Sequence, residues 1–126
     1  MEYTMESWAN DHVLYVHLDG DMTLDDWARI SDEMCAWIDA QPHSVHVIVD
    51  TSNVGNHPYN AVQFQKATTW ASLNNLGWTV LLSENRLVNI LATTTLEFFG
   101  KNFQQADSVE DAVNFLTAED STLNPQ

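Results

Sequence analysis

The chain reads as one α/β domain of order β-β-α-β-α-β-α-β-α, with a mainly parallel sheet and an antiparallel strand at its N-terminal end. Three observations predict this. Two N-terminal segments alternate in character with period two. Two later runs, 45–49 and 78–82, are apolar on nearly every residue. Segments with apolar residues every three or four positions separate and follow these runs. Strands that alternate with helices need crossover connections, and those are right-handed.

Residues 2–8 set Tyr3, Met5 and Ser7 against Glu2, Thr4, Glu6 and Trp8. After a turn at Ala9, Asn10 and Asp11, residues 12–18 set Leu14, Val16 and Leu18 against Val13, Tyr15 and His17. The pair reads as an antiparallel hairpin with Trp8, Tyr15 and His17 together on its outer face. Thr23 with Asp26 forms a capping box that opens a helix running to about Ala40. Its apolar face carries Leu24, Trp27, Ala28, Met34, Cys35 and Ile38, and Pro42 stops it.

Residues 45–49 read as a central strand covered on both faces, ending at Asp50. A polar loop follows, and Pro58 sits at the first turn of a helix expected to reach Leu73. Residues 78–82 are the next strand. Ser83 is placed as the cap of a third helix over 85–99, with Leu87, Ile90, Leu91 and Thr94 as its buried stripe and Gly100 closing it. A short strand surrounds Phe103. Ser108 with Asp111 opens a last helix faced by Val109, Ala112, Val113 and Leu116. The domain is expected over residues 1–120, with 121–126 as a flexible tail.

Hydrophobic residues make up 44% and charged residues 17% of the 126, which is globular composition. Four basic residues (Arg29, Lys66, Arg86, Lys101) face eighteen acidic ones, for a formal charge of −14. Four scattered cations cannot displace counterions from a phosphate backbone, so nucleic acid is excluded as a partner, and an anionic membrane with it. A protein partner with a basic surface suits this charge. Cys35 is the lone cysteine, so no intrachain disulfide forms. The N-terminus lacks a signal-peptide layout and no apolar run is long enough to span a membrane, so a cytoplasmic location is expected.

The five histidines show no ligand spacing. His43 and His46 point to opposite faces of a strand, as do His12 and His17, so no metal and no cofactor are expected. Asp50, Ser52 and His57 sit close in sequence at a strand end where ligand sites form in open α/β sheets. There is no nucleophile elbow and no glycine-rich phosphate loop. The expectation is therefore that Asp50 and Ser52 structure the loop and that no residue is catalytic.

The hairpin, the helix and the apolar strand ending Asp50-Thr51-Ser52-Asn53-Val54 together resemble the STAS domain, the fold of SpoIIAA-like anti-sigma-factor antagonists. The segment from Leu18 to Thr23 resembles that family's L-x-G-x-L/I-T, and 103–116 looks like its final strand and helix. The resemblance implies a non-enzymatic regulatory module that docks a partner through the loop and helix after the central strand. Carried over, the docking residues are Asn53, Asn56, His57, Tyr59, Asn60 and Gln63. Family members carry a phosphorylated serine in a D-S-S-G motif. The corresponding positions here hold Pro58, Tyr59, Asn60 and Ala61, so the resemblance extends to the scaffold and loop but not to that serine. A competing reading is a small-molecule or lipid carrier with Phe64, Trp70, Phe98 and Phe99 around an apolar pocket. The hairpin face with Trp8 and Tyr15 is a candidate homodimer contact.

Overall fold

The structure, a computed structural model, describes residues 1–58 and 60–123. Among them, β1 (Glu2–Trp8), β2 (Val13–Gly20), β3 (Val45–Val54), β4 (Leu76–Leu82) and β5 (Phe103–Ala106) form one sheet in sequence order. β1 pairs antiparallel with β2, and every other pairing is parallel. α1 (Leu24–Asp39), α2 (Ala61–Ala67) and α3 (Arg86–Phe98) each link one parallel strand to the next. Right-handed crossovers between strands in sequential order put all three on the same face. α4 (Val109–Glu119) follows β5 and returns across the other face.

Two clusters result. On the three-helix face, Trp27, Ile30, Met34 and Ile38 of α1 pack with Phe64, Leu91 and Leu96 onto Leu14, Val16, Val47 and Val49. On the α4 face, Ala112 and Leu116 pack onto Val13, Ile48, Val80 and Leu82. β3 therefore has buried side chains on both faces from Val45 through Asp50, as its apolar run predicts. Each fully buried valine or isoleucine there contributes roughly 1.5–3 kcal/mol. Thr23 caps α1 with both bonds of the capping box present, a contribution of about 1 kcal/mol.

Several boundaries differ from the sequence reading. β3 does not end at Asp50 but continues to Val54, because β2 runs on past a bulge between His17 and Asp19 and pairs Gly20 with Val54. The helix expected from Pro58 to Leu73 starts later and is broken. Asn60 is its cap, accepting from the Gln63 amide, and the chain leaves the helix at Thr68 before a 3-10 turn over Thr69–Ser72. The break lets the Thr68 hydroxyl accept the Trp27 indole N–H at 2.8 Å while donating to the Phe64 carbonyl at 2.7 Å. Asn85, not Ser83, caps α3. The buried face of α3 is Leu91, Thr95 and Leu96, while Leu87 (49%) and Ile90 (53%) face solvent. Val113 of α4 also faces out. Trp8 and Tyr15 stack at 4.8 Å, but they are half-buried beside the α4 cluster rather than fully outward. Ser121–Leu123 forms a 3-10 turn, and Leu123 packs on that cluster too. Residues 124–126 of the expected tail lie outside the described residues.

A latch joins α4 to the sheet. The His46 Nδ1 accepts the Trp78 amide at 2.9 Å, so the ring proton sits on Nε2, which donates to Asp120 at 2.8 Å. Gly77 makes room for this ring: a Cβ there would lie 2.5 Å from His46 Nδ1. Hydrogen bonds from Thr122 and then from His46 pull the Asp120 carboxyl down to about 2. A depressed carboxylate stabilises the fold above its unfolded value, and that contribution is lost as pH falls. Stability should therefore drop as pH falls from about 4 through about 2, and Asp120→Asn should flatten that part of the curve in denaturant titrations at stepped pH. At the hairpin tip, Ala9, Asn10 and Asp11 all have positive φ (54°, 56° and 67°). Ala9 is exposed and carries a Cβ in the left-handed region at a cost of about 1 kcal/mol. Ala9→Gly should raise the unfolding free energy by about 1 kcal/mol, read from the denaturation midpoint.

Candidate functional site

The C-terminal ends of β3 and β4 lie on one edge of the sheet, where open α/β sheets form their sites. The loop after β3, the start of α2 and the start of α3 gather there. The loop is pinned to the end of β2. Gly55 N–H donates to the Gly20 carbonyl at 3.1 Å, and Met22 N–H to the Asn56 carbonyl at 2.8 Å. Asn56 N–H donates to Asp21 Oδ1 at 2.9 Å. A Cβ at Gly55 would meet Asp21 Oδ1 at 2.4 Å, so a larger residue there would displace the Asp21 carboxylate.

The expected docking residues separate into groups. Asn56, Asn60 and Gln63 are exposed, and Asn60 uses its side-chain oxygen as the α2 cap. His57 is buried (5%), with Nδ1 in hydrogen-bond contact with the Pro58 carbonyl, so it supports the loop from within rather than presenting a ring. Asn53 belongs to β3 and contacts His17 Nε2 at 3.3 Å. Tyr59 lies outside the described residues.

Asp50 and Ser52 also lie in β3 rather than in the loop. Tyr15 donates to Asp50 Oδ2 at 2.7 Å, and Ser52 Oγ and N–H donate to Oδ1 at 2.6 and 3.1 Å. Burial by itself would raise the Asp50 carboxyl, but the Ser52 and Tyr15 bonds and nearby His17 outweigh it and hold it below the ordinary value. Burial, followed by that same carboxylate, pushes the Tyr15 phenol well up. A carboxylate held low and filled with donors is a poor general base at neutral pH. The cluster ties β2 to β3.

Sequence reasoning missed the outer face of α3. Leu87, Ile90, Thr94 and Phe98 follow one another at spacings of three and four, and all are exposed, Phe98 at 66%. Val62 on the neighbouring α2 is 62% exposed. The stripe was legible as an apolar periodicity, but its direction was not. Phe64 and Trp70 line a cavity of about 40 Å3 between the three helices and the sheet, together with Trp27, Leu96 and Phe103. Ligand pockets run about 300–1,000 Å3. Among the described residues no cluster of three histidine, cysteine or acidic side chains is placed to hold a metal. No helix among them is long and apolar enough to cross a membrane.

No protein-family model matches the chain, and no curated protein does. Solved structures do resemble it. One is an uncharacterized protein of the DUF3478 family with a SpoIIAA-like fold, from Shewanella loihica PV-4. It is 13% identical, with a TM-score of 0.65 over 91% of this chain and 92% of that one. Another is the anti-sigma factor antagonist SpoIIAA in its unphosphorylated form, 13% identical, with a TM-score of 0.63 over 93% of this chain and 97% of that one. The fold is thus SpoIIAA-like, in agreement with the STAS resemblance read from the sequence.

Removing one donor tests the Asp50 cluster. Tyr15→Phe should raise the Asp50 pKa and cost about 1.5–3 kcal/mol of stability, the range for a hydrogen bond to a charged group. Carboxyl NMR titration reads the first effect, and chemical denaturation at neutral pH reads the second.

Proposed function

We propose that this chain is a non-enzymatic regulatory module that docks a protein partner at the loop after β3, the start of α2 and the outer stripe of α3. The observation that carries this reading is the exposed stripe Leu87, Ile90 and Phe98, with Val62 on the adjoining helix. Single exposed apolar residues are ordinary, whereas a row along one helix marks a contact surface. Asn56, Asn60 and Gln63 supply polar contacts at the rim beside it, and His57, Asp50 and Ser52 hold the scaffold. SpoIIAA, an anti-sigma factor antagonist, supports a regulatory use of this fold. The charge of −14 favours a partner with basic groups around its apolar contact. The competing carrier reading rests on a cavity of about 40 Å3, which has to widen several-fold before it takes a ligand.

The test compares wild type with the double variant Leu87→Asp, Ile90→Asp. Both positions are exposed, so stability should move by no more than about 0.5 kcal/mol. A partner retained by wild type in a quantitative pull-down should bind the variant at least about tenfold more weakly, or about 1.4 kcal/mol. Chemical-shift mapping with that partner should centre on residues 55–66 and on α3. Perturbations confined elsewhere would overturn the proposed site.

A further inference from the structure

Among the described residues β1 forms an edge of the sheet: it runs seven residues, pairs only with β2, and keeps unbroken register from Glu2 opposite Asp19 to Trp8 opposite Val13. Natural edges are blunted by shortness, proline, lysine or a bulge. β1 has none of these and its edge charges are the acidic Glu2 and Glu6, while the opposite edge, β5, is four residues long. The outward backbone groups of β1 are therefore a template for a further strand.

The side chains specify what that strand carries. Glu2, Thr4, Glu6 and Trp8 stand on one face of β1, with His17 and Asp19 beyond them on β2 and Asp50 on β3. None of the four lysines and arginines lies on β1, β2 or β3. A broad depression of about 460 Å3, lined by Met1, Glu2, Tyr3, Thr4, His17 and Asp19, opens on this corner. Glu2 and Asp19 face each other there, in register. The other face of β1 presents the half-buried Tyr3 and Met5. A second copy of this chain fits poorly, because two such edges would bring Glu2 and Glu6 of both copies together on chains already at −14.

We propose that the β1 edge is a second docking surface, which adds an extended segment of a protein partner carrying arginine or lysine on one face. The partner's backbone pairs with β1. Its cationic side chains stand opposite Glu2 and Glu6, one of them reaching the depression toward Asp19. Its intervening small apolar residues lie beside Tyr3 and Met5. This surface is separate from the loop and α3, so it stands or falls independently of them.

The probe is a synthetic eight-residue peptide alternating arginine and valine, titrated into the full chain by calorimetry and by 15N NMR. Shifts are expected in residues 2–8 and 17–19. Affinity should fall at least about tenfold for the double variant Glu2→Lys, Glu6→Lys, and also for a peptide N-methylated at alternate amides, which keeps its charge but cannot pair as a strand. Gln104→Glu, on the opposite edge strand, should leave binding unchanged. Equal affinity for the N-methylated peptide would show attraction to acidic charge alone and overturn the proposal. Shifts spread over the acidic faces of α1 or α4, absence of binding at millimolar peptide, or self-association through β1 would overturn it as well.

Discussion

A sheet of five strands is roughly 20 Å wide at about 4.8 Å per strand, and one helix covers about 10 Å of it. Because β2 to β5 lie in sequence order, right-handed crossovers send α1, α2 and α3 to one side and leave α4 alone on the other. That imbalance fixes much of the rest. The three-helix side buries a thick core around Trp27, Ile30 and Met34. On the other side, among the described residues, the buried cluster lies over Val13, Ile48, Val80 and Leu82. β3 must be apolar on both faces where both layers lie over it. It turns polar at Asp50, the last residue it pairs with β4, and beyond that point β2 is its partner among the described residues.

The element order was legible because each element keeps its own period. The capping box at Thr23 and Asp26 marked the start of α1, and the double-faced apolar run marked β3. What was not legible depended on distant partners. Thr68 leaves the helix for the indole of Trp27, which is 41 positions away. Residues 51–54 look like a loop by composition, yet they stay extended because β2 continues beside them. α3 is apolar around most of its girth, so periodicity offers two stripes. The inner one includes Ala92 and Thr95, small side chains that line the cavity with Leu81 and Phe103 of the sheet. Spacing alone ranked the bulkier Leu87 and Ile90 as core.

The site residues show the same division. Asn56, Asn60 and Gln63 are exposed on the loop and helix where polar residues after a strand belong. His57 has the same polar character in sequence, but the loop turns it inward, and no neighbour-by-neighbour reading reveals that. Asp50 looked like a strand-end carboxylate. Its pairing with Tyr15, 35 positions earlier, comes from the parallel register of β2 with β3. That register makes it a cross-strand tie.

The molecule thus carries two surfaces of unlike chemistry, an apolar helix face at α3 and an anionic strand edge at β1. Gly20 at the end of β2, with Asp21 and Met22 after it, bonds directly to Gly55 and Asn56 of the loop, and among the described residues β2 is the one strand paired with β1. Gly20 has φ of 103°, a value that holds the chain at this junction without a side chain.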